Sequence, residues 1–281
     1  MRSAARKIVR EGVLALDVCE RVEGLIMEFG ARPAFPCNVC INEVAAHYTS
    51  PPSDRTVIPN GSVVKVDIGV HVDGYIADTA TTICFNPDNE DMVRTADEAL
   101  QRAVVTVKPG VSASRIGEAV ESTVRLRGFK PIWNLSGHQV ARYVIHTGKS
   151  IPNVARMDGA RVMSGDVLAL EPFVTLQSGK GEVAAADEAY IFRFQKERSV
   201  KDVRARKLLG FIKSEYKTLP FAERWLWKHF PAKEFQPAFF QLLDSKSVMA
   251  YSVLVEAGGC VVTQAEHTVL VKEGSCDVLT I

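Results

Sequence analysis

Residues 63–82 read VVKVDIGVHVDGYIADTATT. Apolar residues alternate with others, β-branched side chains dominate, and Asp73-Gly74 stands where a two-residue hairpin turn belongs. Two acids do not fit. Asp67 and Asp78 fall inside the strands, where Asp is disfavoured. With Asp73 and Gly74 as the loop, Val72 faces Tyr75, Gly69 faces Asp78 and Asp67 faces Ala80. Asp67 and Gly69 share a face, so Asp67 and Asp78 become diagonal neighbours roughly 7–8 Å apart at the backbone. A three-residue loop would break that parity. Carboxylates this close repel unless a proton, a cation or solvent lies between them. The choice is between a solvated face with two surface acids and a cation site.

The chain repeats itself once. GVLALDVCERVEGLIMEFGARPAF from Gly12 and GVSASRIGEAVESTVRLRGFKPIW from Gly110 align with a constant offset of 98. Gly12, Val13, Ala15, Glu20, Val22, Glu23, Gly30 and Pro33 meet identical residues. Each segment predicts a turn, an amphipathic helix, a Gly C-cap and an extended exit through Pro. Further on, NGSVVKVDIG from Asn60 is similar to SGDVLALEPF from Ser164. In both, a turn Gly opens a strand and an acid follows six residues later: Asp67 and Glu171. Two such α+β halves would bring equivalent strands together about a pseudo-two-fold axis, with their carboxylates converging.

A fourth acid, Glu266, lies near the centre of VVTQAEHTVLV (residues 261–271), which predicts one strand with His267 on its opposite face. Asp91–Val107 predicts a helix linking the halves. Residues 196–250 break the pattern. They are helical and basic, with twelve Lys and Arg against six Asp and Glu, and hold two of the three tryptophans. They read as a helical subdomain inserted into a catalytic domain formed by residues 1–195 and 251–281.

Composition narrows the class. The 281 residues are 47% hydrophobic and 24% charged with net charge +1, as in an ordinary globular protein without global bias toward nucleic acid or membrane. No apolar run reaches membrane-spanning length and no signal peptide is evident, so a cytoplasmic location is expected. The six cysteines suggest no disulfide framework. Cys37 and Cys40 form a C-x-x-C without a second pair to complete a zinc site, and read as two small semi-buried side chains.

NLSGHQVARYVIHTG adds His138 and His146, and INEVAAHYTSP adds His47. Four carboxylates and one imidazole suit a pair of divalent cations bridged by carboxylates and a water. His71, beside the turn, and His229, in the insertion, read as exposed.

KVDIGVHVDGYIADTA, NLSGHQVARYVIHTG, LALEPF and QAEHTVLV, in this order and with a helical insertion between the two glutamates, resemble the metal-binding segments of the type 2 methionine aminopeptidases in their shorter archaeal form. The resemblance covers nearly the whole chain. It implies the pita-bread α/β (α+β) fold of the creatinase/aminopeptidase class, with an internal pseudo-two-fold repeat. It also implies removal of the initiator methionine from nascent proteins whose second residue is small, by hydroxide activated between two divalent ions (Mn, Fe, Co or Zn). By the same resemblance Asp67 binds one metal, Asp78 and Glu266 bridge both, and His138 and Glu171 bind the second. Glu171 is also the proton shuttle, and His47 and His146 are catalytic histidines that contact the scissile peptide. Phe35, Ile145, Phe173 and Tyr251 fall at or near the methionine pocket. The expected partners are nascent polypeptide N-termini, with ribosome contact through the basic insertion left open, no specific DNA binding, no membrane and a monomeric state. The first helix, ARKIVRE, is shorter than the family's. Two rival functions share the fold: a catalytically weak binding protein associated with ribosome or nucleic acid, whose kind loses metal ligands, and a prolidase-like X-Pro peptidase, whose kind carries a separate N-terminal domain and no such insertion.

Overall fold

Strands Val63–Val72 and Tyr75–Cys84 pair with Val72 opposite Tyr75, Gly69 opposite Asp78 and Asp67 opposite Ala80. Asp73 (φ 50°) and Gly74 (φ 87°) both adopt left-handed backbone, which matches the twist of the strands they join. On one face Val64, Val66 and Ile68 are buried against Val18, Val22 and Ile26 of a helix. Each such side chain contributes about 1.5–3 kcal/mol. The other face presents Lys65, Asp67, Gly69 and His71. A slip of one residue would exchange the faces, so the apolar set fixes where the acids point.

The computed structural model describes residues 1–157, 159–230 and 232–281. In the first half, α1 (Arg2–Ile8) and α2 (Ala15–Glu28) precede β1 (Arg32–Pro33), β2 (Asn38–Ile41), β3 (Val44–Ala46) and the hairpin strands β4 and β5. Helix α3 (Glu90–Thr106) crosses to α4 (Ala113–Leu126), β6 (Lys130–Pro131), β7 (Ser136–Gln139), β8 (Ser150–Pro152), β9 (Val167–Leu170), β10 (Phe173–Thr175) and β11 (Val183–Phe194). Then come α5 (Val203–Glu215), β12 (Phe221–Ala222), α6 (Glu223–Trp227), α7 (Ala232–Asp244), β13 (Val248–Glu256), β14 (Val262–Gln264), β15 (His267–Val271) and β16 (Cys276–Val278). The repeat is visible in register: α2 and α4 begin 98 residues apart, and Gly30 and Gly128 follow them in left-handed backbone. Each half lays its helices over one side of its sheet. One core lies under α1 and α2, another under α3 and α4.

The threonines of ADTATT join the halves. The Thr79 hydroxyl donates to Glu266 O at 2.9 Å and Thr82 to Gln264 O at 2.6 Å, while Thr268 Oγ1 accepts from Asp78 N at 2.7 Å.

Four expectations need correction. The single strand expected over 261–271 is two: β14 pairs with β10, β15 with β9 and β16, and Ala265-Glu266 lies between them. Glu171 likewise falls in a gap, between β9 and β10, because Pro172 has no N–H to continue a ladder. Ala265 N donates to Pro172 O, so the two gaps face each other. His71 is buried, not exposed: its Nδ1 accepts the Gly74 N–H at 3.1 Å and its ring meets Tyr143 edge-on. Cys37 and Cys40 are fully buried rather than semi-buried, and both are free thiols. His229 is exposed.

Helices α5–α7 form their own core around Leu208, Ile212, Phe221, Leu226 and Phe239, and β12 attaches them to the sheet β12-β11-β13-β3. Of the stretch read as inserted, residue 231 lies outside the described residues. A buried ion pair fastens α6 to α2: Arg224 Nη2 donates to Glu23 Oε1, and Trp225 Nε1 donates to Glu23 Oε2 at 2.8 Å. Glu23 Oε1 also accepts the Cys37 N–H at 3.0 Å, and Arg224 Nη1 reaches Thr49 Oγ1 and Ser50 O. Burial pushes the Glu23 carboxyl up, and the Arg224 guanidinium opposes that shift. Among the described residues no helix is long and apolar enough to cross a membrane.

Candidate functional site

Where the two halves meet, one cavity is lined by Asp67, Asp78, His138, Glu171 and Glu266 at one end. Phe35, Ala46, Ile145, Ile191, Pro220 and Tyr251 form the apolar remainder, with Asn38, His47 and His146 between. Asp67 and Asp78 come from the hairpin and His138 from β7, while Glu171 and Glu266 come from the two facing gaps. Loss of strand pairing there frees the backbone to turn both glutamates inward. His138 Nε2 stands 3.6 Å from Asp78 Oδ2 and 3.7 Å from Glu171 Oε1. Ligand atoms of Asp78, His138 and Glu266 all lie within 4.8 Å of one another.

The donor set fits divalent cations. Asp67 Oδ1, Asp78 Oδ1 and Glu266 Oε2 are buried without hydrogen-bond partners among the described residues. Among the described residues no Lys or Arg forms an ion pair with any of the four acids. Burial pushes Asp67 up to about 6. Asp78, Glu171 and Glu266 rise well above the carboxylate range, through burial first and then the charge of neighbouring acids, Asp67 in every case. Burial and neighbouring His146 push His138 down to about 3, leaving a neutral imidazole. Four acids in apolar surroundings are tolerable only with bound protons or bound cations.

That choice makes the metal-free protein pH-sensitive. The raised acids hold more protons folded than unfolded above about pH 4, so their contribution to stability is lost as pH rises through their folded values. His138 and His146 (about 3 and about 4) act oppositely, gaining stability with pH, but only up to about 6.5. Between about pH 6.5 and 8 the three strongly raised acids outnumber the one thiol, Cys19, whose lowered value acts the other way, so the acids set the sign. The melting temperature of chelator-treated protein is therefore expected to fall over that range, and added Mn²⁺ or Co²⁺ to remove the slope. A flat or rising profile in the metal-free protein would contradict this placement of the acids.

The histidines differ in their commitments. His47 Nδ1 lies 3.2 Å from Ser252 O, which can only accept, so Nδ1 carries the hydrogen and Nε2 keeps its lone pair. Burial lowers His47 and keeps it neutral. It sits in left-handed backbone (φ 65°) just past β3, a conformation held for a non-glycine only where the surroundings enforce it. His146 is lowered to about 4 by burial, His47 and Arg193, and its ring meets His138 edge-on at 4.3 Å. Tyr251 lies within β13, opposite Ile191, with its ring edge-on to His47 at 5.5 Å.

Phe35 reaches the cavity because Gly69 has no side chain. A Cβ there would stand 2.2 Å from the Phe35 ring. Phe173, expected near the pocket, does not line it and packs instead with Ile132, Val183 and Val262. Asn38, Ala46, Ile191 and Pro220 line the cavity without having been singled out from the sequence. For Asn38 a signal existed, since it lies one residue beyond Cys37 in an extended stretch. Nothing local marked Pro220, which comes from the insertion.

Fold and site together define a metal-dependent hydrolase built on two pseudo-symmetric α+β halves, the pita-bread fold. The chain belongs to metallopeptidase family M24, whose family model matches residues 1–202, and within it to the methionine aminopeptidases. It is 45% identical over its whole length to the methionine aminopeptidase of Methanothermobacter thermautotrophicus, covering 94% of that protein. Among solved structures, a thermophilic Arx1 superposes with TM-score 0.82 at 19% identity over 98% of this chain and 86% of that one. The methionine aminopeptidase of Thermotoga maritima superposes with TM-score 0.71 at 22% identity over 99% of this chain and 90% of that one. The expected activity class, a metallo-aminopeptidase using divalent metal, is borne out.

Proposed function

We propose that the chain removes the initiator methionine from nascent polypeptides whose second residue is small, with two divalent cations held by Asp67, Asp78, His138, Glu171 and Glu266. The observation that supports this most directly is the buried cluster of unneutralised acids beside an apolar cavity. Divalent cations bound there supply Lewis acidity and a nucleophilic water at neutral pH. Asp78 and Glu266, each near several other donors, suit bridging. Glu171 Oε2 accepts from Gln264 Nε2 at 3.4 Å while Oε1 stands 3.7 Å from His138 Nε2, so the carboxyl is held at the edge of the cluster, where it would both help hold a cation and take up and return a proton. Neutral His146 donates one N–H toward the oxygen that becomes negative at the scissile carbonyl. His47, with Nδ1–H committed to Ser252, serves as an acceptor for a peptide N–H rather than as a donor to that oxygen. The domain division at 196–250 is proposed with its second border at Val248, where β13 begins. The charge excess of the inserted stretch suits contact with ribosomal phosphates, and the chain is proposed to act as a monomer.

The test combines metal analysis with cleavage of a Met-Ala-Ser peptide by protein loaded in turn with Mn, Fe, Co and Zn. Cleavage of X-Pro but not Met-Ala would overturn the reading.

Specificity should lie in the apolar walls. Tyr251→Ala is expected to lower kcat/KM on methionyl peptides and narrow their advantage over leucyl ones, with metal content unchanged. Small differences of apolar fit are worth about 1–3 kcal/mol in such pockets. Unchanged Met-over-Leu selectivity would remove Tyr251 from the pocket.

A further inference from the structure

Asn38 lines the cavity and has no role in the reaction proposed for it. It opens β2 directly opposite Asp67 of β4, so both side chains leave the sheet on the same face. Asn38 is 3% exposed. Its Nδ2 donates to Pro36 O at 2.8 Å. That carbonyl can only accept, so the amide is held with its nitrogen toward Pro36 and its oxygen turned away. Oδ1 is buried and, among the described residues, has no hydrogen-bond partner. An acceptor left in that state is costly, and its presence calls for an occupant that donates.

Its position says which occupant. Two residues along β4 from Asp67, on the same face, is Gly69, and the Phe35 ring lies over it. Asn38 therefore stands at the junction of the acid cluster and the apolar wall. A methionyl terminus carries three groups on its Cα. Its side chain belongs against Phe35, Ile145 and Tyr251, and its carbonyl belongs at the acids and His146. The amino group is left, and it points to the junction. We propose that Asn38 Oδ1 accepts a hydrogen bond from the substrate's α-amino group and so helps the site to select a free N-terminus. The inference rests on the methionyl-peptide reading of the same cavity. A neutral amide suits this role, because an amine donates to it in either protonation state and it adds no fifth charge to compete for cations.

The test measures binding directly on metal-loaded protein by titration calorimetry, with L-methioninol and its des-amino analogue 4-(methylthio)butan-1-ol. Wild type, Asn38→Val and Asn38→Ser are compared, with metal content and melting temperature checked in each. Ser is too short to place an acceptor where Oδ1 lies, so either folded variant serves. The preference for the amine-bearing ligand is expected to fall about tenfold to a hundredfold in both variants, with the des-amino ligand and metal content little changed. An unchanged preference, or equal weakening of both ligands, overturns the proposal and leaves Asn38 as a strand-end residue. Cleavage of Met-Ala-Ser is measured separately. If wild type shows the amine preference but fails to cleave, the functional reading fails while the role of Asn38 stands.

Discussion

Asp67→Asn is expected to lower activity roughly 10³-fold and to leave the protein folded, because cations at such a site supply several kcal/mol of charge stabilisation and each ~1.4 kcal/mol is tenfold in rate. The amide keeps the shape of the carboxylate and removes one of four buried charges. Asp67 contributes to the upward shifts of Asp78, Glu171 and Glu266, so its loss relieves all three. The metal-free variant should therefore melt no lower than metal-free wild type at pH 8, while metal analysis shows reduced occupancy. Opposite effects on binding and on stability distinguish a ligand from a structural acid. Near-wild-type turnover by the variant after dialysis against a chelator would sink the cation site.

The two neighbouring histidines should separate in kind. His146→Ala is expected to reduce kcat by about 10²–10³, the usual worth of a donor aimed at a developing oxyanion, with metal content at the wild-type level. His138→Ala should instead lose metal, since Nε2 stands among the acids. Their rings touch edge-on, so either substitution leaves a comparable hole, and packing loss alone would give similar results for both. Retention of metal by His138→Ala together with loss in His146→Ala would exchange the two roles.

Much of this arrangement was legible because strand periodicity is strict. Once Asp73-Gly74 is taken as a two-residue turn, the facing of Asp67 and Asp78 follows, and the two helices of the repeat share an offset because they share a fold. Legibility failed where local pattern gave way to long-range contact. Glu171 and Glu266 read as strand residues because their surroundings are β-prone, yet both sit where strands stop and the chain passes between sheets. Nothing near His71 announces that Tyr143, 72 residues later, will cover it. Phe173 has the composition of a pocket wall and of a core residue alike, and only its neighbours decide. Pro220 belongs to a stretch whose charge suggested a solvated surface, although its β12 edge joins the sheet that carries Tyr251. Asn38 was overshadowed by the cysteines flanking it.

The Glu23–Arg224 pair also bears on the order in which the protein comes into being. Its partners lie 201 residues apart. At about 5–20 residues per second of synthesis, the acid waits roughly 10–40 s for its cation. During that wait a buried Glu23 would have to take up a proton or stay in water, so α2 settles less firmly onto Cys37 and the loop of Thr49 and Ser50. That loop follows His47, and Cys37 lies between Pro36 and Asn38. Both sides of the cavity are thus unfinished until α6 leaves the ribosome, and Glu266 emerges later still. An enzyme that trims other chains at birth is, by this wiring, unable to act on anything until its own synthesis is nearly over.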